Sequence, residues 1–155
     1  SGRTPYCIGA LQYARSVGAF CVGLSCNSPA ELSAYADISI EVDAGPEILT
    51  GSTRLKSGTA EKMILNMIST ASMVGIGKVY GNLMVDMKAT NLKLAERARR
   101  IVCMACGCSS EKASETLHQA GGNMKTAIVM TQSGVSREEA EQRLLKHKGF
   151  VRKCI

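Results

Sequence analysis

Apolar residues recur at Ile8, Leu11, Ala14 and Val17, a spacing that predicts an amphipathic helix with one buried face. Thr4 and Pro5 supply its start: a hydroxyl at the N-cap and a proline at the first helical position, where the missing N–H costs nothing. Residues 19–25 are largely apolar, too few for a helix, and run into Cys26-Asn27-Ser28-Pro29; they predict a buried parallel strand closed by a turn. A short helix is expected from about 29 to 35. Residues 37–42 then alternate polar and apolar, the period of a strand with one covered face. Helix–strand–helix–strand is the order of a doubly wound α/β sheet, whose earlier strands are expected to lie ahead of Ser1.

From Ala60 the positions Met63, Ile64, Met67, Ile68, Ala71 and Val74 predict a long helix ending near Gly75 or Gly77. Its apolar face is expected to be largely buried, by sheet or by a partner. Residues 80–88 read as a connector with an apolar middle. Asn91 starts a helix whose inner face is Leu94, Ala98, Ile101, Val102 and Ala105. Three short helices follow. Ala113, Leu117 and Ala120 mark the first, which stops at Gly121-Gly122. Asn123 caps the second, with Ala127 and Ile128 facing inward and Thr131 or Met130 beside them. Ser136-Arg137-Glu138-Glu139 is a capping box for the third, which carries Ala140 and Leu144 and stops at Gly149.

The 155 residues, 45% hydrophobic and only 4% aromatic, suffice for one domain, or for part of one with a small appendage, around an Ala/Met/Leu/Ile core. No run is long and apolar enough to cross a bilayer and none resembles a signal peptide, so a cytoplasmic protein with no membrane partner is expected. Seven cysteines is an odd count, and Cys7, Cys21 and Cys26 sit in apolar segments. Free, buried thiols are therefore expected rather than disulfides. The net charge of +6 is uneven: residues 1–87 hold six Lys/Arg against seven Asp/Glu, residues 88–155 thirteen against six. Lys93, Arg97, Arg99, Arg100 and the tail Lys146, Lys148, Arg152 and Lys153 carry the excess. Interleaved aromatics and nucleic-acid-binding motifs are lacking, so solvated helix faces or an anionic small molecule fit better than nucleic acid.

Two segments carry candidate chemistry. The turn Ser1-Gly2-Arg3-Thr4 precedes a helix N-terminus, whose unpaired N–H groups and partial positive charge can hold a phosphate. The loop from Ala44 to Thr59 gathers Ser52, Thr53, Arg54 and Lys56 with Glu47 ahead of a second helix start, donors suited to a phosphate or a sugar. Glu47 either contacts a hydroxyl or moves a proton, or else forms a salt bridge to Arg54. Cys103, Cys106 and Cys108 have metal-like spacing but lack a fourth ligand close by, so no metal is expected. His118 and His147 read as surface helix residues.

The stretch GPEILTGSTRLKSGTAEKMILN resembles the signature shared by N-acetylmuramic acid 6-phosphate etherases and the glucokinase regulatory protein. YGNLMVDMKATNLKLAERARRIV and SGRTPYCIGAL are similar to the etherase pattern, and AGGNMKTAIVM resembles the ubiquitin-associated-like (UBA-like) three-helix end of etherases. The resemblance implies an α/β fold: part of a sugar isomerase (SIS) domain, with a flavodoxin-like parallel sheet, over 1–87. It further implies a connecting or lid helix over 88–108 and a UBA-like unit over 109–155. It implies a lyase that eliminates D-lactate from N-acetylmuramic acid 6-phosphate through an unsaturated sugar, then adds water to give N-acetylglucosamine 6-phosphate in cell-wall recycling. No metal or organic cofactor is implied, and the assembly is a homodimer.

By position, Ser1 with Gly2, Arg3 and Thr4 matches the second phosphosugar-contacting loop, and Ser52, Thr53, Arg54 and Lys56 fall in the signature loop with Glu47 just before it. Asn91 and Lys93 match an Asn-x-Lys pair that reaches the sugar phosphate in the regulatory protein. Etherases carry a further N-terminal half with the first phosphate loop and two proposed catalytic glutamates. This chain is therefore expected to be a C-terminal fragment, inactive alone, with no catalytic residue unless Glu47 serves as one. A non-catalytic phosphosugar sensor, or an interaction module built on the three-helix end, are the alternatives.

Overall fold

In the computed structural model, which describes residues 1–155, Pro5 opens α1 (Pro5–Ser16) as its sequence predicts. Thr4 holds the N-cap position with extended backbone, but its side chain makes no capping bond; its Oγ1 pairs instead with Ser1 Oγ at 2.8 Å. β1 (Val22–Ser25), a 3-10 helix (Glu31–Tyr35) and β2 (Ile38–Glu41) follow in the expected order. The strands pair parallel, from Val22 opposite Ile38 to Ser25 opposite Glu41. Buried Leu32 packs on β1 at Gly23, where an added Cβ would lie 2.5 Å from its Cδ1.

The predicted buried face of α1 is only half covered. Ile8, Leu11 and Ala14 are partly buried, while Val17 is exposed, as is Ile38 on β2. Two strands offer too little surface to cover a helix and both of their own faces.

α2 (Lys56–Gly75) begins one turn before Ala60 and ends at the expected glycine. This chain does not itself cover the expected face: no residue of α2 is buried, and Met67 is 60% exposed. Apolar spacing identifies the side of a helix that seeks cover, not whether the same chain supplies it.

The chain parts into two compact units, 1–69 and 70–155. In the second, the expected connector is a hairpin: β3 (Val79–Tyr80) pairs antiparallel with β4 (Leu83–Met84) across Gly81-Asn82, and Gly81 has the positive φ of +60° that such a turn demands. Tyr80 and Leu83 pack on the core formed by the helices that follow, so the hairpin belongs with the second unit.

α3 (Leu92–Cys106) buries Ala98, Ile101 and Val102, and Gly107 ends it in the left-handed conformation. α4 (Ser110–Gln119), α5 (Met124–Ser133) and α6 (Arg137–Lys146) are the three predicted short helices. α5 is the central one, with every residue from Met124 to Val129 buried. Alanines 98, 113, 127 and 140, all nearly inaccessible, let the helix backbones approach closely. Ile128 contributes about 2–3 kcal/mol of the burial free energy. The capping box is half made: Ser136 Oγ accepts from Glu139 N, but the Glu139 carboxylate turns forward to Arg143 at 2.5 Å.

Lys125 of α5 is 9% exposed, and its Nζ lies 3.0 Å from Asp86 Oδ2. Lys78 reaches the same oxygen at 3.1 Å, so one carboxylate ties together the two flanks of the hairpin and α5. All seven thiols are free, but Cys7 is exposed, against the expectation of burial; it sits on the uncovered side of α1.

Candidate functional site

The turn 1–4 is seated by its glycine. Gly2 has φ +74°, is buried, and accepts from Leu32 N at 2.8 Å. A Cβ there would lie 2.5 Å from Ser25 Oγ and 2.7 Å from Ala30 Cβ. Asn27 Nδ2 donates to Ser1 O at 3.0 Å, while Asn27 N donates to Ser25 Oγ at 3.1 Å. The turn thus rests on the carboxyl end of β1, the place where open parallel sheets bind ligands. Because Thr4 is turned to Ser1, the first-turn amides of α1 at Tyr6 and Cys7 receive no side-chain acceptor. They remain at the positive end of the helix dipole, facing solvent with Arg3 beside them.

The start of α2 lies against the same loop, since Cys26 Sγ donates to Ser57 O at 3.5 Å. Glu47 controls that start. Its carboxylate accepts Lys56 N at 2.9 Å and Ser57 N at 3.0 Å, and it makes no ion pair with Arg54. The Ser57 amide first, then that of Lys56, holds the carboxyl below the usual glutamate range, so it is ionised at neutral pH. A group in this state can accept a proton but has none to donate.

It also corrects one expectation. The second helix start was to offer its amides to a phosphate, and those of Lys56 and Ser57 are occupied by Glu47. Of the two helix N-termini, α1 is open and α2 is filled. Ser52 is half-buried in the turn that leads to α2, where its carbonyl accepts Leu55 N at 3.2 Å; Thr53, Arg54 and Lys56 are exposed. The side chains of these four residues have no hydrogen-bond or ion-pair partner, so the donors are free.

Sequence reasoning missed Ser25, Asn27 and Glu41. Glu41, at the end of β2, accepts Ser33 Oγ at 2.5 Å and Ala30 N at 3.1 Å, bonds that lower its pKa and pin the segment under the turn. For Ser25 and Asn27 the available signal is the run of polar residues at the end of a buried strand; Glu41 carries none beyond its place at the end of β2.

In the second unit, Asn91 caps α3 by accepting Leu94 N at 2.9 Å on Oδ1, which commits its oxygen and leaves its amide NH2 free. Lys93 is exposed on the first turn of α3 with no partner.

Residues 81–126 match the family described as the C-terminal lid domain of glucokinase regulatory protein. Along all 155 residues the chain is 59% identical to N-acetylmuramic acid 6-phosphate etherase of Geobacillus thermodenitrificans, covering 52% of that protein. It is 59% identical to N-acetylmuramic acid 6-phosphate etherase 2 of Lactiplantibacillus plantarum and 57% identical to the etherase of Mycolicibacterium smegmatis, again covering 52% of each. The chain spans about half the length of the curated relatives it matches.

Proposed function

We propose, from the premise that this chain is homologous over its whole length to N-acetylmuramic acid 6-phosphate etherases, that the whole protein is such an etherase. It cleaves the D-lactyl ether of the phosphorylated amino sugar, releasing D-lactate and N-acetylglucosamine 6-phosphate. The observation that carries this reading is the 59% identity along all 155 residues.

The geometry supports a division of labour. The open N-terminus of α1, with Ser1, Gly2, Arg3 and Thr4, suits the phosphate. The free hydroxyls of Ser52 and Thr53 and the cations of Arg54 and Lys56 suit the sugar and its anionic groups. Glu47 is a positioning residue in this scheme: ionised and bound to two amides, it fixes the start of α2, and any proton it moved would be one it accepted. Asn91 and Lys93, exposed at the start of α3, are assigned to the phosphosugar by their resemblance to the regulatory protein's Asn-x-Lys pair. The working protein is a cytoplasmic homodimer with no cofactor and no nucleic-acid or membrane partner. Its SIS portion is 1–87, its lid helix 88–108 and its UBA-like end 109–155. The 155 residues alone are inactive.

Lactate release from N-acetylmuramic acid 6-phosphate by the whole protein tests the reading, and no release with the sugar bound would overturn it. That outcome would favour a phosphosugar-binding regulator instead, the reading to which the lid-domain match over 81–126 lends weight. Turnover by the 155 residues alone would overturn their inactivity.

A further inference from the structure

α3 and the β3–β4 hairpin enclose an open cavity of about 500 Å³ within the second unit, a size suited to a small metabolite. Arg97 and Arg100 line it, one helical turn apart, with Asn82 from the hairpin turn. Leu83, Ile101 and Met104 supply apolar wall.

The two arginines, like Arg54, stand without a partner, in contrast to those of α6. On α6, Arg143 pairs with Glu139, and Arg137 at its start pairs with Glu141. Arg99, between them in sequence, turns to the Ser110 hydroxyl of α4. Arg97 and Arg100 have neither an ion-pair nor a hydrogen-bond partner, and no acidic residue lines the cavity. Two free guanidinium groups above an apolar wall call for a ligand with both characters. Each guanidinium presents a planar fork that matches a carboxylate. The same fork also takes a phosphate, so it is the apolar wall that favours a carboxylate with an apolar tail over inorganic phosphate.

We propose that this cavity binds a small carboxylate carrying a short apolar group, with Arg97 and Arg100 on the carboxylate and Leu83, Ile101 and Met104 on the apolar part. The site goes beyond the etherase reading and stands without it.

The test is a methyl and amide NMR titration of the whole protein with hexanoate, with 1-hexanol and inorganic phosphate as separate probes. Hexanoate is expected to give saturable shifts at Leu83, Ile101 and Met104, and the double variant Arg97→Gln/Arg100→Gln to weaken it about tenfold. Both side chains are exposed, so the variant should keep its fold, which its own spectrum reports. Absence of saturable shifts, equal hexanoate affinity in a folded variant, or equal binding of hexanol or phosphate would each overturn the proposal. Should the double variant unfold, Arg100→Lys, which keeps charge but loses the fork, must weaken hexanoate; unchanged affinity would overturn it.

Discussion

Lys125 Nζ lies 3.0 Å from Asp86 Oδ2, and only the lysine is close to fully buried. The carboxylate is partly open to water, so the pair gains less than a fully buried one, yet losing it strands a cation between α5 and the hairpin.

Asp86→Asn is therefore expected to destabilise the second unit by about 1–2 kcal/mol, read from urea unfolding. Lys125→Met, which removes the buried charge along with its partner's task, should cost less. Equal losses from the two changes would contradict this account.

The same pair sets an acid limit. Partial burial pushes the Asp86 carboxyl upward, but the hydrogen bonds and charges of Lys125 and Lys78 outweigh it, and the net shift is downward. A pKa lower in the folded than in the unfolded state stabilises the fold above the ordinary aspartate value of about 4, and that contribution disappears as pH falls through the folded value. Urea midpoints measured from pH 6 to pH 2 should drop in that lower range, less steeply for Asp86→Asn than for the unaltered chain.

Glu47→Ala should free the amides of Lys56 and Ser57 and fray the first turn of α2. Hydrogen exchange at those two amides is the measurement, with Glu47→Gln expected to fall between, since its single carbonyl oxygen can still accept. Unaltered exchange at both would remove Glu47 from the role of cap.

Much of this was legible in the chain, and what was not has identifiable causes. Asn123 and Gly134 bracket α5 through local chemistry, a cap and a left-handed stop, so both ends of that helix could be read. That Lys125 inside it is buried could not, because its partner lies 39 positions earlier and pairing at that distance leaves no periodic trace. The hairpin leaves no pattern in the sequence beyond the turn signal of Gly81-Asn82, because two-residue strands are too short to alternate. At the candidate site, the residue types of both loops were read directly. Which helix start is open depends on where the Glu47 and Thr4 side chains turn, and spacing does not encode that.

Gly2→Ala forces a β-carbon into Ser25 and Ala30 at a φ that side chains avoid. A loss of about 1–3 kcal/mol in the first unit is expected, with faster exchange of the Leu32 amide that now donates to Gly2. A variant as stable as the parent would mean that the turn is not held as described.

Burial, then the neighbouring Cys108, pushes the Cys106 thiol up to about 11, only partly offset by the Thr131 hydroxyl. Alkylation by iodoacetamide at pH 8, followed by mass spectrometry, should modify exposed Cys7 well before Cys106. The reverse order would show the α3 end to be more open than it is here.

Along α2, the thioether groups of Met63, Met67 and Met73 stand in contact with solvent. Peroxide or prolonged exposure to air would convert them to sulfoxides before any methionine held in the core, such as Met124. Conversion at Met63 or Met67 plants a polar oxygen on the apolar stripe of the helix, and at Met73 on its other side. Samples of this chain would then differ by age, in mass by one oxygen per event, while the circular dichroism of the helices stayed the same.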